Sequence, residues 1–302
     1  MRLALGPVPY YWPGEALLEF YEAVARWPVH TVYLGEVVCP KRRHLRFAEW
    51  LELARRLASA GKEVVLSTAT ILEADADWRA IERICGNGEF LVEANDAAAL
   101  HALRGRPFVA GPGMNVYNGQ ALAFLAGLGL RRWVMPFELS GETLAAFQAG
   151  RPAAIETEVF AFGRLPLAQS ARCFTARAHG LPKDDCQLKC LEYPDGLALQ
   201  TQDDSPFLVL NGVQVQSAQI YQLLGQVPEL ERLGVDSLRI APVHRHTEAV
   251  VAAFAAVLAG EETPEAGVAR LLPLAPLGLA DGYWRGEPGL RSQSSKARPT
   301  SA

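Results

Sequence analysis

The chain has 302 residues, 50% of them apolar, and its 29 Lys and Arg face 33 Asp and Glu for a net charge of −4. That balance buries a core and excludes a disordered or collagen-like chain, while scattered arginines and only five lysines exclude the basic stripe of a nucleic-acid surface. The longest apolar stretch, residues 249–260, falls short of the roughly twenty residues of a membrane span, so no transmembrane segment is predicted.

From the N-terminus, Arg2–Val8 reads as a strand, Glu15–Trp27 as a helix, Thr31–Val38 as a strand and Leu45–Ala60 as a helix. The alternation continues through strand Glu63–Thr68, helix Trp78–Cys85, strand Glu89–Ala94, helix Asp96–Arg104, strand Pro107–Gly111 and helix Gly119–Leu128. Strand Arg132–Phe137, helix Gly141–Gln148 and strand Ala153–Phe162 follow. After a long irregular stretch come helix Ser217–Leu233, strand Asp236–Pro242 and helix Thr247–Ala259. Glycines after several helices, at Gly61, Gly129 and Gly234, supply the left-handed cap that ends a helix before the next strand.

Eight such units predict an α/β fold, a TIM-like (β/α)8 barrel forming a single domain over residues 1–290, with a doubly wound open sheet as the alternative. No glycine-rich nucleotide fingerprint follows a strand, which weakens that alternative. Residues 163–216 interrupt the seventh unit, where a βα loop normally takes two to six residues, and insertions of that length are usually functional. Its end, residues 196–201 and 207–210, reads as a small hairpin. The Ser-, Arg- and Pro-rich Arg291–Ala302 reads as a disordered tail. The N-terminus lacks the apolar run of a secretory signal, so a cytoplasmic protein is expected, in which cysteines serve as core residues, metal ligands or nucleophiles rather than disulfides.

The insertion holds three of the five cysteines, Cys173, Cys186 and Cys190, in a loop rich in Asp, Lys and Arg. Cys39 follows the second strand and in a barrel opens onto the same C-terminal face. Four thiolates there fit structural zinc or an iron–sulfur cluster, and their wide separation in sequence favours the cluster. Cys85, at a helix end, reads as a core or loop thiol.

Carboxylates form a second constellation. Strands of a parallel barrel are covered on both sides and read as apolar runs, yet Glu36, Glu93, Glu156 and Glu158 fall in predicted strands, and Glu138 just after one. Glu156 and Glu158 are two apart and point to the same side. Glu36, Glu156 and Glu158 are the candidate catalytic carboxylates of a polar site in the barrel mouth. The competing account is salt bridging to Arg132, Arg164 or Arg239. Tyr10, Tyr11 and Trp12 read as packing or as a pocket wall, His244 and His246 as possible bases, and Arg42-Arg43-His44 first as a solvated helix start.

Residues 158–163, Glu-Val-Phe-Ala-Phe-Gly, resemble the start of the signature of the collagenase-like peptidase family U32, and Cys173 falls on its second cysteine. Arg164-Leu165-Pro166 stands where the first cysteine is expected, which counts against protease activity. Residues 35–39, 163–168, 170–177, 183–190 and 282–284 resemble, in order, the branch of that family serving ubiquinone biosynthesis. That resemblance implies that Cys39, Cys173, Cys186 and Cys190 bind a [4Fe-4S] cluster. It further implies a heterodimer with a UbiU-like protein, a UbiT-like lipid carrier and oxygen-independent hydroxylation of a ubiquinone precursor in an anaerobic setting. A peptidase and a non-catalytic scaffold stabilised by its cluster are the alternatives.

Overall fold

The computed structural model describes residues 1–292. Eight strands, β1 (Arg2–Leu5), β2 (Thr31–Leu34), β3 (Glu63–Ser67), β4 (Leu91–Ala94), β5 (Phe108–Ala110), β6 (Leu130–Val134), β7 (Glu156–Gln169) and β11 (Ser237–Ile240), pair in parallel, each with the next. β11 also pairs with β1, Leu3 opposite Leu238, and this last ladder closes the sheet into a TIM barrel. Helices α1 (Gly14–Val24), α2 (Phe47–Ser59), α3 (Asp75–Cys85), α4 (Ala97–Ala102), α5 (Gly119–Gly127) and α6 (Gly141–Gly150) fill the first six connections. Among the described residues no helix is long and apolar enough to cross a membrane.

Alternation along each strand divides the side chains in two. Leu3, Leu5, Val32, Leu34, Val64, Leu66, Trp133 and Met135 join the large core under the helices. Their neighbours Ala4, Tyr33, Val65, Val109 and Val134 form a separate small cluster that fills the barrel's interior.

The seventh unit departs from the expected elements. β7 continues well past Phe162 because its second half is paired antiparallel by β10 (Gln214–Gln222), with Tyr221 opposite Gly163 and Gln214 opposite Gln169. The expected helix from Ser217 is therefore strand to Gln222, and helix α8 covers only Val227–Arg232. β9 (Pro206–Asn211) pairs with β10 and β8 (Leu197–Gln200) with β9, so the expected hairpin extends the barrel sheet as its outer edge. Between β7 and β8 lie α7 (Phe174–Ala178) and two single helical turns, Lys183–Asp185 and Lys189–Glu192. Helices α9 (Thr247–Leu258) and α10 (Pro264–Leu271) follow β11, and β12 (Leu279–Ala280) pairs with β10. Of the expected tail, residues 293–302 lie outside the described residues. Arg291 is tied in, its carbonyl accepting from the Asp281 N–H at 3.0 Å.

Candidate functional site

The interior of the barrel carries ionised side chains from end to end. At the N-terminal end Arg132 pairs with Glu63 at 2.8 Å and Glu156 at 2.6 Å, and Arg2 also pairs with Glu156. One level up, Arg132 donates to the Tyr33 hydroxyl at 3.1 Å, which donates to Glu158 at 2.8 Å. Arg239 then pairs with Glu158 and, at 2.7 Å, with Glu93, its guanidinium 3.9 Å from the centroid of the Tyr33 ring. Burial alone would raise the Glu63 and Glu156 carboxyls, but Arg132 outweighs it and holds both below the usual carboxylate range. Glu156 and Glu158 are thus salt-bridged to Arg132 and Arg239, two of the partners expected from sequence. Glu156 sits at the end of the barrel away from the mouth.

The ladder ends at the floor of a cavity of about 460 Å³ in the C-terminal mouth. Glu93 and Arg239 line its base, Phe137 and Phe160 meet edge to face at 4.9 Å on one side, and Tyr10, Gln214 and Gln216 close another. Tyr10 donates to Gln216 at 3.2 Å, and Gln216 to Gln214 at 2.7 Å, which fixes that polar wall. The Arg239 Nη2 group is buried without a hydrogen-bond acceptor. Arg239 and Glu93 could be recognised as a floor only with the inter-strand register in hand.

Glu36 is placed differently from its expected strand: β2 ends at Leu34, and Glu36 belongs to the loop that carries Cys39. Its carboxylate accepts from the backbone N–H groups of Val38 at 2.9 Å and Cys39 at 3.0 Å, so it fixes the bend that presents Cys39. Burial raises its carboxyl against the opposing effects of Arg42 and these two donors. Val37 and Val38 form the partition of the mouth: one side lines the cavity, and the other packs with Cys39, Val213 and Cys173.

The insertion brings Cys173 to that side. Cys173 caps α7, its sulfur accepting from the Ala176 N–H at 3.4 Å, and Phe174 donates to the Gly212 carbonyl at 2.7 Å. Cys186 directly follows the first single turn and Cys190 lies in the second, and Lys41 holds the first from outside by donating to the Lys183 carbonyl at 2.8 Å. Trp12 donates to the Pro194 carbonyl at 2.8 Å and the His244 N–H to Asp195 at 2.7 Å, anchoring the end of the loop. Cys173 adds to the rise of the Cys39 thiol, and Cys173 and Cys186 to that of Cys190. Burial pushes the Cys39 thiol up to about 11, and raises the Cys190 thiol against the pull of Arg42. Among the described residues no three His, Cys, Asp or Glu side chains are disposed to close on a metal ion, so these thiols are neighbours rather than a formed set of ligands. As a donor set, four cysteines with the buried cation of Arg42 nearby suit a cluster of iron and sulfide. Cys85 is apart, the buried last residue of α3, its sulfur donating to the Ala99 carbonyl of α4 at 3.8 Å.

Arg42 departs furthest from its expected place. It is not a solvated helix start but 3% exposed, while Arg43 beside it is exposed. Tyr11 packs against His44, Trp12 is core, and His246 is an exposed residue before α9.

The sequence profile of peptidase family U32 matches residues 17–294. Solved structures similar to this one include the U32 peptidase Mk0906, with a TM-score of 0.44 at 11% identity over 80% of this chain and 93% of that one. Tryptophan synthase of Mycobacterium tuberculosis gives 0.40 at 13% identity over 89% and 90%. Dihydrodipicolinate synthase of Aquifex aeolicus gives 0.39 at 8% over 91% and 81%.

Proposed function

This chain belongs to peptidase family U32, and on that premise we propose that it is a UbiV-like iron–sulfur subunit for oxygen-independent hydroxylation of the ring in ubiquinone biosynthesis. It would act as a heterodimer with a UbiU-like protein, on a ubiquinone precursor brought by a UbiT-like lipid carrier. The observation that supports the proposal is the packing of Cys39 and Cys173 together against Val37 and Val38 beside the mouth cavity, with Cys190 close enough for Cys173 and Cys186 to raise its thiol. A [4Fe-4S] cluster on four thiolates supplies one-electron transfer, since complete ligation leaves no open iron for substrate.

The chain's own residues would then divide the work. Glu36 holds the Cys39 loop in its bend, and α7 and the two turns present the other three thiols. Each thiol gives up its proton on binding iron. Phe137 and Phe160 offer apolar faces to a flat ring, with Arg239 and Glu93 as the polar groups that orient it. The wall of Val37 and Val38 keeps ring and thiols apart while leaving them adjacent.

The deciding experiment is iron and sulfide analysis of protein prepared without air. About four irons per chain, with a reducible electron paramagnetic resonance signal, are expected, retained in Cys85→Ala and lost in Cys186→Ala. Zinc, or no metal at all, would sink the proposal. In the complex, Cys186→Ala is expected to abolish ring hydroxylation with the heterodimer still assembled. Loss of assembly instead would point to a scaffold. The peptidase reading rests on family membership alone and requires the isolated, iron-free chain to cleave a protein.

A further inference from the structure

Arg42 is a buried cation set among the cysteine-bearing segments. Its side chain is 0% exposed. Nη1 donates to the Pro9 carbonyl at 2.9 Å and Nη2 to Asn211 Oδ1 at 2.6 Å, while Nε has no hydrogen-bond acceptor. Asn211 is itself fixed, donating to the same Pro9 carbonyl at 2.8 Å.

Its placement reaches three of the segments that carry the thiols. The Arg42 N–H donates to the Cys39 carbonyl at 2.9 Å. Gly212, at φ +63, leaves room for the guanidinium, since a Cβ there would lie 2.8 Å from Nη2, and the Gly212 carbonyl accepts from Phe174 beside Cys173. The positive charge of Arg42 opposes the effect of burial on the Cys39 and Cys190 thiols. Among the described residues its carboxylate neighbour is Glu36 at 3.8 Å, which also accepts from two backbone N–H groups. Burying a guanidinium is costly unless anions compensate it, and the hydrogen-bond acceptors here are a carbonyl and an amide oxygen. Apolar Val38 and Val213 next to the thiols lower the local dielectric and strengthen charge interactions there.

We infer that Arg42 is an electrostatic positioning residue for the four thiolates, compensating their negative charge and setting the reduction potential of the cluster they hold. The inference rests on the cluster reading above. Reduction adds one electron and neither makes nor breaks a bond, so the more negative reduced state gains most from a fixed cation. Removing that cation favours the oxidised state.

The test is a dithionite redox titration, followed by electron paramagnetic resonance, of the anaerobically prepared full chain and its Arg42→Gln and Arg42→Lys variants, with iron and sulfide measured alongside. Arg42→Gln is expected to keep its iron and lower the equilibrium constant for reduction about tenfold, which is about 59 mV for a one-electron couple. Arg42→Lys retains the charge and is expected to stay closer to the parent. If Arg42→Gln loses iron that Arg42→Lys retains, the charge is still the deciding property and the inference holds. Equal potentials in all three proteins overturn it, and so does loss of iron from both variants, because the shape of the guanidinium would then matter and its charge would not. A parent chain that binds no iron refutes the cluster reading itself. A parent with a full cluster and unmoved variants refutes only the role of Arg42.

Discussion

Arg239 holds two carboxylates that have almost no contact with water: Glu93 and Glu158 are 1% and 0% exposed, and Arg239 itself 5%. A buried ion pair adds little net stability, but removing one partner strands the other charge in the interior. Arg239→Met takes the 2.7 Å cation from Glu93 and leaves Glu158 with Arg132 at 3.8 Å, the neutral donors Tyr33, Ser67 and Asn95 remaining. We expect it to lower the unfolding free energy by about 3–5 kcal/mol, measured by urea denaturation, and a loss below about 1 kcal/mol would contradict the pairing. Part of this network is written in the sequence. Glu156 and Glu158 are two apart and must share a face, and Arg132 and Arg239 lie on the strands flanking theirs. Glu63, Tyr33 and Glu93 join only because closing the barrel sets the register across strands, which no local pattern records. Arg42 was hidden for a related reason: its burial depends on Asn211, from a strand 169 residues away.

At the scale of elements, the eight barrel strands appear where short apolar runs alternate with amphipathic stretches, since a helix of this fold must cover the sheet with one face. The error fell on β10. Gln214–Gln222 mixes polar and apolar residues enough to suit a helix start locally, but the projecting half of β7 offers an unpaired edge and pulls it into the sheet. Gly163 marks where β7 leaves the barrel. It adopts φ +140, and a Cβ there would lie 2.6 Å from the Ala241 Cβ and 2.8 Å from the Phe160 ring. A substituted side chain therefore meets both backbone strain and a clash with two residues lining the cavity. Gly163→Ala is expected to cost about 1–3 kcal/mol in chemical denaturation. An unchanged midpoint would show that the strand turns out of the barrel without help from this glycine.

The whole molecule separates support from chemistry along the barrel axis. Arg2, Glu63, Arg132 and Glu156 occupy the N-terminal end, and the cavity and cysteines the C-terminal end, the usual division in this fold. The two ends should respond to different variables. Glu63 and Glu156 are held below the ordinary carboxyl value of 4.5 by Arg132 when folded, so the unfolded chain binds protons more readily than the native one. Their contribution is then complete above 4.5 and is lost as pH falls through the lower native values. Both side chains are about a third exposed, so water screens part of the effect. Glu156→Gln should therefore be less stable than the parent at neutral pH and lose less as the solution is acidified, in denaturation curves collected across that range. Its anaerobic iron content should equal the parent's, because Glu156 stands at the far end from every candidate ligand. Identical acid slopes in the two proteins would show that Arg132 does not perturb Glu156 as its position in the ladder requires. Loss of iron in the variant would show that the ends of the barrel are coupled, and the N-terminal charge layer would then have to be counted as part of the site.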